Sequence, residues 1–543
     1  MTTSNRTSGQ ACRFVLGGLV AATVAVALAA CAAGDHRGTP PAGSPDSTGR
    51  AVAVRLAACL RRHGVDALPP GPQGYDATHP VANDLALPLL RRASKACGLP
   101  PLASPEGPGE LTARPSYPAG TRALTGLLEG APYRIEVPAR WNRILLLWSH
   151  GYEIGRRPHA DDPGALTTEW LLQHGYAIAA SGYRRTGWAV AEALPDQMRL
   201  LHSFDRRFGR PRITIAGGES LGGLISEGLA QRFPARFSGA LSLCGVSGGA
   251  VGFWNQALDA TLAVRTLLMP RNAPFELTGI AHPDRDRKLL VDALTRAGTS
   301  TRGRARLALA AALLDLPAWS TGGTPPTRTA AAATQLIGWL DVRLPQYDTF
   351  GRLDIERRAH GNPSWTTGID FRAQLARSVD RRLVWALYGN AGLSLAGDLR
   401  RLNQAPRIDA ANAAVAYLAR NLTPTGALQL PLVTLHTTGD GVVPVENEQA
   451  LARAVQEAHR GRLLRQLFVQ RADHCSFTAA EQITALQILL HRIQHHRWPA
   501  SLEPSALDEQ AADLGRSVNA IDQSDATRGT HVDAHFVRIN PPA

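Results

Sequence analysis

The chain has 543 residues, room for one large domain with insertions or for two to three smaller ones. Hydrophobic residues make up 44% and charged residues 19%, so the chain can bury a core and does not have a disordered composition. Net charge is +13, but only Lys95 and Lys288 are lysines, and the arginines are scattered, with no basic run and no interleaved aromatics. That excludes a nucleic-acid footprint, which needs clustered cations, and is read instead as a high-GC coding bias.

Arg6 and Arg13 precede an apolar stretch, FVLGGLVAATVAVALAA (Phe14 to Ala30), followed by Cys31. A charged start, an apolar middle and small residues at a cleavage point make residues 1–30 an expected signal peptide. An uncleaved membrane anchor is the alternative, and the stretch is short for one. Leu28-Ala29-Ala30-Cys31 is similar to the bacterial lipobox. The similarity implies a lipid on Cys31 and a body tethered at the extracellular face of the cell membrane. Cys12 leaves with the signal peptide, so Cys59, Cys97, Cys244 and Cys475 remain for pairing. An even number outside the cytoplasm predicts two disulfides, with three connectivities open.

Residues 31–50 are small, polar and rich in Pro and Gly, as a flexible tether should be. Residues 51–100 carry two helical patterns with Cys59 and Cys97 near their ends. They resemble a small cysteine-paired helical module of lipoproteins from high-GC Gram-positive bacteria, which implies that these two cysteines bridge each other. Residues 101–120 read as a linker.

From residue 121 the texture changes. ALTGLLEG and YRIEVPA predict two strands joined by a turn, and RILLLWSHGY is a continuous apolar run, the mark of a strand covered on both faces. YAIAASGY, RITIAGG and SGALSLCG repeat that pattern, with helical segments between them. The alternation stops after Cys244 and resumes only at LQLPLVTLHTTGD and LLRQLFVQRADH, which a final helix follows. The expected architecture is α/β, a doubly wound, mostly parallel sheet built from residues 121–245 and 429–495. Residues 246–428 are expected to form a large helical cap, with Trp254 and Trp365 as candidate wall residues. Residues 496–543 form a weakly patterned tail whose placement the sequence leaves open.

Gly218-Glu219-Ser220-Leu221-Gly222 follows a predicted strand and opens a predicted helix. A turn that tight needs small residues two before and two after the serine, and it lifts one hydroxyl above the sheet edge. The helix start then aims free N–H groups at the same point. Serine needs a base to attack a carbonyl, and the base needs an orienting acid. Asp440 follows a buried strand in LHTTGDGVVP, and His474 follows the last strand in VQRADHCSF. Asp473 is the competing acid, and it is read as a loop residue that points away from the imidazole. His150, in LLLWSHGY, is read as a structural loop histidine. The expected oxyanion donors are the backbone N–H groups of Leu221 and Tyr152. Cys244 and Cys475 both fall at the carboxyl edge of the predicted sheet, so a disulfide beside the site is expected.

These loops are similar to those of the α/β-hydrolase superfamily over residues 121–495, and more narrowly to secreted esterases and prolyl-oligopeptidase-type hydrolases. The resemblance to tannases and feruloyl esterases is partial. Their paired cysteines flank the nucleophile and the histidine; Cys475 fits the second place, whereas Glu219 stands in the first. The resemblance implies a serine hydrolase that cleaves carboxylic esters through Ser220, His474 and Asp440. It implies no metal or organic cofactor, no nucleic acid and no obligate protein partner. A peptidase with the same triad and an inert hydrolase-fold binding lipoprotein are the alternatives.

Overall fold

Runs such as ILLLWS and AIAAS have no polar face, so their strands must be covered from both sides. The computed structural model describes residues 117–153, 158–523 and 528–539. The expected signal peptide, Cys31, the tether and the module carrying Cys59 and Cys97 lie outside the described residues.

The expected strands form as β1 (Arg122–Leu128), β2 (Ala131–Val137), β3 (Ile144–Ser149), β4 (Ala177–Ser181), β5 (Ile213–Glu219), β6 (Gly239–Leu243), β7 (Leu432–Gly439) and β8 (Leu464–Ala472). A further strand, β9 (Phe536–Val537), comes from the tail. The order across the sheet is β1-β2-β4-β3-β5-β6-β7-β8-β9. Strands β4, β3, β5, β6, β7 and β8 are mutually parallel, while β1, β2 and β9 are antiparallel to their neighbours. Helices α1 (Ala165–Gln173), α2 (Val190–Phe208) and α3 (Leu221–Arg232) connect the first parallel strands.

Side chains of β3 alternate between two cores, as the pleat requires. Leu145 and Leu147 pack with residues of α2 and α3, whereas Ile144, Leu146 and Trp148 pack with α1 and with the helix Ala479–His495. The sheet is therefore covered on both faces.

Between β6 and β7 the chain leaves the sheet as α4 (Gly249–Leu268), α5 (Pro283–Gly298), α6 (Thr301–Leu313), α7 (Thr329–Pro345), α8 (Arg352–Ala359), α9 (Phe371–Arg377), α10 (Arg381–Asn390), α11 (Leu395–Asn403) and α12 (Asn412–Arg420). A single turn of π-helix, Gln346–Gly351, joins α7 to α8. This segment has a hydrophobic core of its own. Its centre is α6, whose residues Leu307 to Leu313 are all 0% exposed. Alanines on that helix let its neighbours approach closely.

The remaining helices are α13 (Glu446–Glu457), α14 (Ala479–His495) and α15 (Pro504–Ala512). The tail packs back onto the sheet unit. Its α15 lies against α14, and β9 extends the sheet beside β8. The Asp522 carboxylate accepts the Leu166 and Thr167 N–H groups at 3.0 and 2.7 Å, capping α1 from 355 residues away. The sheet unit therefore runs past residue 495, where its expected boundary lay.

Cys244 and Cys475 are bridged, with Cα atoms 5.4 Å apart across a sequence separation of 231. Closing a loop of that length restricts the unfolded chain by about 5 kcal/mol in the chain-entropy account.

Glu227 lies on the face of α3 turned inward, where its carboxyl accepts a hydrogen bond from Ser247 Oγ at 2.5 Å. Burial pushes its pKa from 4.5 up to about 7 against the opposing hydrogen bonds of Ser247 and Ser242. The unfolded carboxyl ionises near 4.5 while the folded one stays protonated to about 7, so stability falls as pH rises through that window. Glu227→Gln removes this dependence. Relative to the parent protein, its unfolding free energy in urea should improve by up to about 3 kcal/mol between the two pH values. A difference that does not vary with pH would show that Glu227 is already ionised in the fold.

Candidate active site

Ser220 sits between β5 and α3 with φ 53° and ψ −122°, a left-handed backbone that a non-glycine residue rarely adopts. Two contacts force the turn. A Cβ at Gly218 would collide with the Gly222 carbonyl, and a Cβ at Gly222 would collide with the Ser149 carbonyl at the end of β3. Ser220 N donates to Leu243 O at 2.8 Å, so the turn is also tied to β6. Both glycines are steric requirements of a helix packed this close to two strands.

The three side chains expected to act together are within hydrogen-bond distance. Ser220 Oγ is 2.9 Å from His474 Nε2, and His474 Nδ1 is 2.6 Å from Asp440 Oδ2. Asp440 is 0% exposed, and its Oδ1 accepts the Val442 and Val443 N–H groups at 2.9 and 2.8 Å. The carboxylate therefore has one oxygen for its own loop and one for the imidazole. A register shift between Thr437 and Gly439 at the end of β7 precedes that loop. Asp473 is placed elsewhere: its Oδ1 accepts the His474 backbone N–H at 2.8 Å. It braces the loop of the histidine. Besides Ser220, Cys244, Asp473 and Cys475 also have positive φ values of 42°, 83° and 51°, so backbone strain gathers around the site.

Leu221 opens α3, where the first N–H groups have no intrahelical acceptor. Across from it, a Cβ on Gly151 would lie 3.2 Å from Ser220 Cβ, which places the loop of Tyr152 directly against the serine. His150 is buried, with Nδ1 2.9 Å from Gly151 O, and its ring is stacked on Tyr183 with centroids 4.2 Å apart. Burial and the neighbouring His159 pull its pKa down to about 4, so the ring is neutral at pH 7.

The cap reaches this site. Trp339 packs over Gly441 in the acid loop, Arg343 Nε donates to Val442 O at 3.1 Å, and the π-helical turn approaches Tyr152. Trp254 is 0% exposed within an aromatic cluster that also contains Tyr152, Trp188, Phe253 and Tyr347. Trp365 is half-buried outside that cluster, its backbone N–H donating to Asn255 Oδ1 at 3.2 Å.

No protein-family model matches the chain. Over 421 residues it is 27% identical to an o-phthalyl amidase of Xanthobacter agilis, covering 72% of this chain and 91% of that one. Solved structures that match it include an acylaminoacyl peptidase of Pyrococcus horikoshii, with TM-score 0.33 and 9% identity over 71% of this chain. This match spans only 43% of the peptidase. An esterase of Aspergillus oryzae matches with TM-score 0.32 and 13% identity over 69% of this chain and 80% of its own. The rice cell wall degrading esterase LipA of Xanthomonas oryzae matches with TM-score 0.30 and 16% identity over 67% and 85%. The strand order, the serine turn and the acid and histidine loops on one sheet edge decide the fold. The chain has the α/β-hydrolase fold.

Sequence reasoning missed one layer of this candidate site. His436, on β7, is 0% exposed, with Nδ1 3.1 Å from Glu448 Oε1 and Nε2 2.9 Å from Val443 O. Its Nε2 also lies 3.6 Å from Asp440 Oδ2. Both ring nitrogens face acceptors, so only the doubly protonated ring can donate to both. Burial alone pulls its pKa down, but the Glu448 hydrogen bond and charge, with Asp440, raise it above 6.5. Glu448 in turn accepts from Thr434 Oγ1 and Gln466 Nε2, each at 2.6 Å. The only sequence signal was its place on the same strand, four residues before Asp440.

The Glu448 and Asp440 carboxylates favour the charged form of this ring, whose charge offsets part of the negative field at the site. His436→Gln removes that charge and leaves Glu448 unbalanced, which favours proton binding nearby. The acidic limb of the kcat/KM pH profile should move upward by at least about half a unit. An unmoved limb in a folded variant would show that the His436 ring is neutral.

Proposed function

We propose that the protein cleaves carboxylic acyl bonds through a Ser220 acyl-enzyme, with esters as its main substrates. Ser220 Oγ attacks the carbonyl carbon while its proton passes to His474 Nε2. Asp440 holds the ring through Nδ1 and stabilises the imidazolium that forms. The developing oxyanion is met by the backbone N–H groups of Leu221 and Tyr152, each contributing about 3 kcal/mol to the transition state. The bond from the acyl carbon to the leaving oxygen breaks, and His474 returns the proton to the departing alcohol. Water repeats the sequence and releases the acid. The observation that carries this reading is the unbroken chain from Ser220 Oγ to His474 to Asp440 Oδ2, at 2.9 and 2.6 Å.

Amide cleavage by the same residues is the second reading. The relative named as an o-phthalyl amidase favours it, because the chain matches 91% of that protein. The chemistry differs only in the leaving group, an amine that must be protonated as it departs. The cap, which rests on both the acid loop and the Tyr152 loop, is proposed to set the size and shape of the acyl group.

We also propose that the enzyme works outside the cytoplasm, held at the membrane by lipid on Cys31. The support is the charged, apolar and small-residue pattern of residues 1–31 together with the bridged Cys244 and Cys475, which suit an oxidising compartment.

A fluorophosphonate probe should label Ser220 and no other residue, as read by peptide mapping. Ser220→Ala should abolish labelling and lower turnover of an aryl ester by at least about a thousandfold while the protein stays folded. Asp440→Asn should lower turnover comparably through the wrong imidazole tautomer, and Asp473→Asn by less than about fivefold. The reverse ranking of the two acids would remove Asp440 from the mechanism. Parallel rates on matched esters and anilides decide between the two leaving groups.

A further inference from the structure

A set of mostly buried charges fastens the cap to the sheet unit on the Tyr152 side of the serine. Asp354 and Arg358 stand one turn apart on α8, and Arg358 Nε donates to Asp354 Oδ1 at 2.9 Å. Arg358 Nη1 lies 3.0 Å from Glu192 Oε2, in the first turn of α2. Its Nη2 donates to Thr186 O at 2.5 Å, and Asp354 Oδ2 accepts the Trp188 N–H at 2.8 Å. The Arg358 side chain is 9% exposed, so water competes little for these bonds.

Holding the cap to the sheet unit would take only the pair of Arg358 with Glu192. The other bonds hold a loop, Thr186 to Trp188, which lies between β4 and α2. Gly187 in this loop has φ 81°, and a Cβ there would collide with the Asp354 carboxylate. The loop therefore lies directly against α8. The Gly187 N–H donates to Glu153 O, and these two residues form an isolated antiparallel bridge. Glu153 follows Tyr152, so the chain of contacts ends beside an expected oxyanion donor.

The residues before Tyr152 are held from the opposite end. Tyr183 Oη donates to His150 O at 3.3 Å. His150 Nδ1 lies 2.9 Å from Gly151 O, a carbonyl that can only accept. The N–H and C=O of a trans peptide point in opposite directions, so the Tyr152 N–H is turned away from the His150 ring. The direction of that N–H is thus set between two restraints. One is local, and the other leads through Gly187 to Asp354 and Arg358.

We propose that Asp354 and Arg358 of the cap are positioning residues for the oxyanion donor at Tyr152. They fix the loop of Thr186 to Trp188, which through Gly187 fixes Glu153 O and with it the neighbouring Tyr152 peptide. The role rests on the reading that Ser220 is acylated and that the Tyr152 N–H meets the oxyanion. A charged network whose members are all satisfied rigidifies what it joins. A donor displaced by about 1 Å can cost on the order of a hundredfold in rate.

The test uses the full chain with p-nitrophenyl acetate as substrate and trifluoroacetophenone as inhibitor. Ser220 Oγ adds to the ketone carbon, its proton passes to His474, and the ketone oxygen becomes an oxyanion, so inhibition reads the oxyanion donors directly. Asp354→Ala and Arg358→Gln should each lower kcat by at least about tenfold with KM changed less than about threefold, and weaken inhibition by a matching factor. Asp354→Asn, which can still accept the Trp188 N–H, should lose less, and Arg358→Lys should recover part of the Arg358→Gln loss. Exchange of the Gly187 amide hydrogen should quicken by at least about fivefold in Asp354→Ala and Arg358→Gln. Arg306→Gln is the control, because Arg306 pairs with Asp398 at 2.7 Å within the cap. It should keep kcat within about twofold of the wild type. An equal fall in kcat in this control would mean that any loosening of the cap has the same effect, and the assignment would be overturned. Folded variants with faster Gly187 exchange but unchanged kcat and inhibition overturn it too, as do folded variants whose Gly187 exchange stays slow. A wild type that neither turns over the ester nor reacts with a fluorophosphonate sinks the acylation reading and the oxyanion role with it. Faster Gly187 exchange in the variants would then still support the restraint on the loop.

Discussion

Everything at this site depends on a steric constraint: α3 starts so close to β3 and β5 that only glycine fits at positions 218 and 222. Ser220 is left at φ 53°, a conformation that an isolated turn would abandon. It persists because the surrounding elements are fixed independently. The Ser220 N–H is tied to Leu243 O, and α3 is buried along most of its length. The strain is therefore held by the sheet, and its result is a hydroxyl lifted to the one edge where other loops can reach it.

Those loops come from the far side of the sheet and carry their own restraints. Asp440 is fixed by two N–H groups of the turn that it begins, and His474 by the brace from Asp473 and the neighbouring disulfide. Beneath them, His436 and Glu448 form a buried pair directly under the acid. An ion pair in such a place adds little net stability, since desolvation consumes most of its Coulombic gain. Its consequence is electrostatic: the Glu448 and Asp440 carboxylates favour the charged form of the ring that lies between them. The acid loop is thus clamped from below by that pair and from above by the cap, through Trp339 and Arg343.

The cap has its own core around α6 and meets the sheet unit chiefly through aromatic rings and arginines. This division separates two demands. The sheet unit holds Ser220, His474 and Asp440 together, while the cap packs against the acid loop through Trp339 and Arg343. Arg343 belongs to both, since one nitrogen bonds the acid loop and its flat face lies on the aromatic cluster.

The elements legible in the sequence were those set by local chemistry. Short apolar runs between turn signals read as strands covered on both faces, so β3 to β7 were legible, and the two glycines around Ser220 announced the turn. Chain order then placed Asp440 and His474 on loops that follow strands. The same order put Cys244 and Cys475 at one edge, because parallel strands all end on the same side. What the sequence could not disclose were contacts between distant segments with no periodic signature. Asp522 caps α1 from the opposite end of the chain, and β9 is a two-residue strand that is stable only beside β8. Arg343 reads as one arginine among many until folding buries it between Phe253 and Tyr347, and His436 reads as one polar residue inside an apolar strand. Spacing and side-chain type determined the fold and which three side chains meet at its edge. Tertiary packing alone decided which charged groups lost their water, and with it the electrostatics of the site.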